Sequence, residues 1–217
     1  MPMTSTAPAP TPLPPAAVQA ERLIALGAHR IAGLTARGLC EAADRLPTGA
    51  LLVVHPDRAP ASALAPLLEL GGKPGFVVAD MTDVDAFEPI EAVELPAAPV
   101  YAVRGVERGD EMLNWSPDEA LPAITAAGRT PLTLAEGIHW LLQCPDVLAR
   151  NVCFMTIGSR LRKGDGRLDS RTPALWISNG TGRDGRERRG APKVGWCWAG
   201  NRHTWLGFAS ATARAAV

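Results

Sequence analysis

Between Pro15 and about Leu46, Leu23, Ile24, Leu26, Ile31 and Leu34 recur at helical spacing, as the buried stripe of an amphipathic helix requires. Gly27, Gly33 and Gly38 interrupt the stripe, so the pattern predicts two or three short helices rather than one rod. The continuous apolar run "ALLVVHP" then reads as a short buried strand closed by Pro56. "SALAPLLEL" predicts a short helix stopped by "GGKPG", and "GFVVADM" and "VYAVRGVERG" predict two further strands. Two strands around a helix suggest a small α/β unit.

Two helix starts are written more sharply. In "SPDEALPAI", Ser116 stands at the N-cap, Pro117 at the first helical position and Glu119 two further on, which is a capping box. Thr133 and Glu136 repeat the device in "TLAEGIHWLLQCPDVL", where Ile138, Leu141 and Leu142 supply the apolar face. His139 and Cys144 ride on that helix as packing or surface residues rather than metal ligands.

After Asn151 the period shortens. "VCFMTIGS", "PALWIS", "KVGWCWAG" and "TWLGFASA" are short apolar segments separated by glycine, asparagine and charge, the pattern of an antiparallel meander. The expected fold class is therefore α+β: amino-terminal helices and a small α/β unit packed with a carboxy-terminal antiparallel β-meander. Residues 1–15 hold six prolines, which remove donors and fix φ, so they are expected to form a disordered tail ahead of a single domain at 16–217.

Composition adds limits. With 22 basic and 22 acidic residues the formal charge is zero, which disfavours nucleic acid as a partner. The charge is uneven along the chain, however: from Arg160 to Lys193 ten basic residues stand against four acidic ones. Cys40, Cys144, Cys153 and Cys197 form no C-x-x-C pair and read as free thiols of a reducing cytosol. The absence of a basic n-region followed by an apolar h-region agrees with a cytoplasmic location, and no apolar stretch approaches a membrane span.

"RGDEMLNWSPDEALPAI", "GRTPLTLAEGI", "CFMTIGSR", "PALWIS" and "APKVGWCWAGNRHTWLGFAS", with "KPGFVVADMTDVDAF" before them, resemble an actinobacterial family catalogued as a domain of unknown function. The resemblance covers about residues 50–211 and centres on the tryptophan-rich motif. It implies a bacterial, cytosolic protein and supplies no activity, cofactor or site residue. The loop "NGTGRDGRERRG" is longer and more basic than the resemblance implies.

Four constellations could carry chemistry. The stretch "KVGWCWAGNRHTWLGFAS" reads as an antiparallel hairpin whose main role is core formation. A three-residue turn would set Cys197, His203 and Trp205 on one face, and Cys197, His203 and Asn201 are the residue types of thiol catalysis. Trp176, Trp196, Trp198 and Trp205 could form a stacking surface for a sugar or a base. Asp80, Asp83 and Asp85 follow an apolar strand, where Mg²⁺ ligands often gather. The loop Arg183–Arg189, with Arg186 near its tip, could meet phosphates or an acidic surface. No phosphate loop, dinucleotide fingerprint or nucleophile elbow is present.

The reading favoured by these patterns is a cytosolic binding or accessory protein. Its site is expected on the tryptophan-rich carboxy-terminal sheet, for a small molecule or a protein partner. The sequence names no cofactor and no oligomeric state. The alternatives are an enzyme using Cys197 and His203, or a metal at Asp80, Asp83 and Asp85, and a nucleic-acid contact through the arginine loop.

Overall fold

The computed structural model describes residues 12–217, so most of the expected tail lies outside the described residues. Of its last residues, Leu13 packs against the core, and the Pro14 carbonyl accepts a hydrogen bond from Gln19 Nε2 at 2.8 Å. The glycine-interrupted stripe folds as three helices: α1 (Ala16–Ala25), α2 (Ala28–Ile31) and α3 (Ala36–Asp44). Gly27 separates the first two at φ 80°, a left-handed conformation that glycine adopts without a Cβ penalty. Thr35 caps the third, its hydroxyl accepting from Gly38 N at 3.0 Å.

"ALLVVHP" forms β1 (Leu51–Val54), buried throughout. A short helix follows, α4 (Ala61–Leu64), then β2 (Glu69–Leu70), β3 (Lys73–Pro74), β4 (Phe76–Val77), β5 (Phe87–Pro89) and β6 (Val100–Arg104). Next come α5 (Pro117–Ala126), β7 (Thr130–Pro131) and α6 (Leu134–Gln143). Both capping boxes are formed. In α6 the Thr133 hydroxyl accepts from Glu136 N at 3.3 Å, and the Glu136 carboxylate accepts from Thr133 N at 2.8 Å. The remaining strands are β8 (Cys153–Met155), β9 (Ser159–Leu161), β10 (Arg171–Ile177), β11 (Pro192–Trp198), β12 (Leu206–Phe208), β13 (Ser210–Ala211) and β14 (Ala213–Ala216).

The fold is α+β, with amino-terminal helices, a central α/β region and antiparallel strands toward the carboxy terminus. Two sheets dominate it, one in the order β1-β6-β14 and the other β12-β8-β10-β11-β4. Two local expectations are corrected. The strands flanking α4 are not partners: β1 pairs antiparallel with β6, whereas β4 joins β11 in the other sheet. The tryptophan-rich stretch is not a hairpin, because β8 and β10 separate β11 from β12, which runs parallel to β8. The reason is the connecting segment, which docks on the start of α5. There the Ala199 carbonyl accepts from Asp118 N at 3.2 Å, the His203 carbonyl accepts from Asn114 N at 2.8 Å, and the Arg202 guanidinium meets the Glu119 carboxylate.

Helix α6 joins the two sheets, and every one of its residues is buried. Gly137 gives the approach: a Cβ there would lie 2.5 Å from Thr156 Cγ2 and 2.8 Å from Leu175 Cδ1. One turn on, the Trp140 and Phe154 rings lie 5.3 Å apart. The outer edge of β1 is buried under α1, where unpaired backbone groups would be costly. Gln19 meets part of that demand, its Oε1 accepting from Leu52 N at 2.8 Å and its Nε2 donating to the Ala50 carbonyl at 2.9 Å. Among the described residues no helix is long and apolar enough to cross a membrane.

Candidate ligand cleft

Strand alternation decides which side chains of the five-stranded sheet meet α6. Leu175 pairs with Phe154 and Val194 on the face toward α6. Trp176 and Cys197, and Cys153 by alternation from Phe154, point to the other face. There Trp176 lies down on the sheet. Gly195 makes this possible, since a Cβ at that position would stand 2.5 Å from the indole Cη2. Lys193 Nζ sits 4.7 Å from the Trp176 ring centroid, and the Trp205 ring meets Trp176 edge to face at 6.3 Å.

These residues bound a cleft of about 630 Å³. Trp176, Trp205, Ile177, Cys153 and Cys197 form its apolar floor and wall, and Arg150, Asn151, Ser178, Asn179 and Arg189 bring polar groups to it. Burial pushes the Cys197 thiol up to about 11, with nearby Lys193 opposing the shift only in part. Cys153 is likewise raised to about 11 by burial. At neutral pH both thiols are therefore protonated, small, weakly polar surfaces. All four cysteines are free.

The other candidates are dispersed. His203 stacks near Trp205 at 5.2 Å between ring centroids, and its buried Nε2 has no hydrogen-bond partner. Burial lowers its pKa. No hydrogen bond joins Cys197 to His203 among the described residues, and Asn201 is exposed in the connecting segment. Trp196 and Trp198 lie on the sheet face opposite Trp176 and contact each other at 4.6 Å between ring centroids. Trp198 is 47% exposed. Trp196 reaches a smaller cleft of about 270 Å³ at the sheet edge, shared with Trp176, Asp80 and Arg183. The four tryptophans thus do not make one platform.

The three aspartates diverge. Asp83 binds Arg171 through both oxygens at 2.9 and 2.7 Å, and its pKa is lowered chiefly by that hydrogen bonding. Asp85 accepts from the Ser62 backbone N–H and hydroxyl, at 2.8 and 2.5 Å. Asp80 faces Arg183 at 3.4 Å. Among the described residues no group of three His, Cys, Asp or Glu side chains could hold a metal ion. The sequence triplet is split because each carboxylate already serves a loop contact of its own.

The arginine loop is exposed but tethered. Asp184 accepts from the Ser178 hydroxyl at 2.7 Å and from Lys193 Nζ at 2.6 Å. Arg188 lies over the Phe76 ring at 4.4 Å, while Arg186 faces solvent. Of the loop's four arginines only Arg189 lines the large cleft. Sequence reading missed Arg150, Asn151, Cys153 and Asn179. The legible signal for the first two was a polar pair between apolar runs, which the fold uses as a turn tip.

A family model matches residues 22–217, from within α1 to the end of β14 and beyond. The chain belongs to that family, described as a family of unknown function (DUF5701). The match takes in the amino-terminal helices together with the tryptophan-rich segments, so the family is defined over both sheets and α6. No curated protein and no solved structure matches the chain.

Proposed function

We propose that this protein binds a small molecule in the cleft between Trp176, Trp205 and Cys197. The observation that supports this reading best is the make-up of the cleft. It has the size of a small-molecule site, roughly 300–1,000 Å³, and it joins an indole-lined wall to a few convergent polar groups. Trp176 is braced by Gly195 beneath it and by Lys193 across its ring, so a ligand meets a wall that needs little ordering on binding.

The thiol-enzyme reading is weaker on chemical grounds. A nucleophilic cysteine reacts as thiolate, whereas burial holds Cys197 at about 11 and the His203 ring is not hydrogen-bonded to it. We also read the protein as cytoplasmic, supported by four free cysteines of the kind a reducing compartment keeps.

The test is a thermal-shift screen of small metabolites on the full chain, repeated on Trp205→Ala after circular dichroism confirms its fold. A ligand that raises the midpoint of the native protein is expected to lose its effect in the variant. Hits that stabilise Trp205→Ala and Trp176→Ala as well as the native chain would place binding elsewhere and sink the reading.

A further inference from the structure

We propose that the cleft selects a planar aromatic anion, a ligand whose flat body carries a carboxylate or a phosphate. This rests on the small-molecule reading above and adds the charge and shape of the ligand.

Several arginines of this chain are paired with carboxylates. Arg108 pairs with Asp110, Arg171 with Asp83 and Asp169, Arg183 with Asp80, Arg202 with Glu119 and Arg214 with Glu136. Other arginines, Arg45, Arg58, Arg104 and Arg186 among them, have no acidic partner among the described residues and lie exposed to solvent. Arg150 and Arg189 also lack an acidic partner, but their place is the cleft rather than open surface. Both line the cleft, no acidic residue lines it with them, and neither side chain has a hydrogen bond or ion pair among the described residues. The neighbouring acid, Asp184, is occupied by Lys193 at 2.6 Å. Two uncompensated guanidinium groups beside low-dielectric walls focus a positive potential into the cleft. Each also presents the planar fork of donors that fits a carboxylate or phosphate.

Both arginines stand on anchored backbone. Arg150 and Asn151 form the tip of a tight turn closed by two hydrogen bonds between Ala149 and Val152, at 2.9 and 3.0 Å. Asn151 takes the left-handed conformation there, at φ 62°, which asparagine tolerates better than most residues. The Arg189 carbonyl accepts from Lys73 Nζ at 2.5 Å, and the next residue, Gly190, donates to the Ser178 carbonyl at 2.8 Å. The two cations are thus carried to the cleft by separate, fixed segments.

The cleft wall favours a flat ligand. Trp176 and Trp205 meet edge to face at 6.3 Å, and a flat aromatic body buries well against such rigid surfaces at low entropic cost. Asn151 and Asn179 add amide donors and acceptors for ring heteroatoms.

The experiment titrates the full chain with two fluorescent dyes of the same aromatic body, anilinonaphthalene sulfonate and its neutral counterpart phenylnaphthylamine. The anion is expected to bind about ten-fold tighter or more, the effect of a charge-assisted hydrogen bond. The double variant Arg150→Gln/Arg189→Gln is expected to reduce the anionic dye to the affinity of the neutral one and leave the neutral one unchanged. Trp205→Ala should weaken both. Equal affinity for the two dyes in the native chain, with Trp205→Ala still weakening both, overturns the anion preference and leaves the cleft reading standing. Dye binding indifferent to Trp205→Ala overturns both. Displacement of the anionic dye by adenosine monophosphate points to a phosphate, and displacement by indole carboxylate to a carboxylate. If neither competes at millimolar concentration, the proposed ligand class is wrong.

Discussion

The imidazole Nε2 of His139 accepts a hydrogen bond from the backbone N–H of Val54 at 3.1 Å. The other ring nitrogen, Nδ1, lies 2.8 Å from the Ala135 carbonyl and must donate to it. Both roles together require one neutral tautomer, because a protonated ring has no acceptor. His139 therefore completes on the buried edge of β1 what Gln19 begins at Leu52. Two side chains from two helices take the place of a missing neighbouring strand. Burial pushes the His139 pKa down to about 4.

Stability should accordingly depend on pH through this residue. The ordinary histidine value is 6.5 and the folded value about 4. Above 6.5 the contribution is present in full. As pH falls below that, the unfolded chain takes up a proton that the folded chain refuses, and the loss grows until the folded group titrates. By linkage it approaches about 3 kcal/mol. Urea unfolding of the native chain and of His139→Gln between neutral pH and the folded pKa is the check. The variant should be less stable at neutral pH, and the gap should narrow as pH falls. A gap that stays constant would show that the ring does not titrate as its burial requires.

The carboxy-terminal strand is held by a buried ion pair. Arg214 Nε and Nη2 reach the two Glu136 oxygens at 2.6 and 2.7 Å, and Tyr101 Oη donates to the same carboxylate at 3.2 Å. The side chains of Arg214 and Glu136 are only 6% and 0% exposed. Removing one partner strands the other charge, which typically costs about 3–5 kcal/mol. Arg214→Leu should fall in that range in denaturant unfolding. Glu136→Gln/Arg214→Met should recover part of the loss, since the glutamine can still close the capping box. A double variant no better than the single one would mean that the pair contributes more than charge matching.

Gly195 offers a handle on the cleft wall that touches no ligand group. A methyl at this position meets Trp176 Cη2 at 2.5 Å and Val78 Cγ1 at 3.1 Å. Gly195→Ala should lift the indole off the sheet and destabilise the fold by about 1–3 kcal/mol, as overpacking does. Comparing its tryptophan emission with that of Gly195→Ala/Trp176→Phe isolates the Trp176 contribution. That contribution should move to longer wavelength as the ring gains solvent. Unchanged emission from Trp176 would argue that it does not rest on Gly195.

The parts of the fold that sequence made legible are those governed by local chemistry. Ser116 with Glu119 and Thr133 with Glu136 place α5 and α6, because a capping box is satisfied within four residues. The run Leu51–Val54 is a strand whatever its partner. Pairing was not legible, because it is decided at long range. Ala199, Arg202 and His203 could have closed a hairpin, but their contacts with Asn114, Asp118 and Glu119 carry the chain across the sheet instead. The consequences for the site follow from that crossing. Trp176, Trp205 and Cys197 line one cleft, while Trp196 and Trp198 go to the opposite face. Arg150 and Arg189, from distant turns, complete the cleft without any motif that links them in sequence.

The reactivity of Cys197 follows from its place in the cleft. Its thiol is raised to about 11 by burial, so the thiolate is scarce at neutral pH and labelling should be slow. Its rate should rise about ten-fold for each pH unit while the thiol remains mostly protonated. Cys40 is exposed and should supply the fast phase, whereas Cys144 and Cys153 are buried, with pKa values also near 11. A disulfide reagent applied to Cys40→Ser removes the fast phase. Cys197→Ser on that background, folded by circular dichroism, should remove the next one. Occupying the cleft with the anionic dye should retard the Cys197 phase further, because ligand and reagent compete for the same opening. Rapid labelling of Cys197 at neutral pH would mean that nearby Lys193 outweighs burial at this thiol, and would return thiol chemistry with His203 to the front.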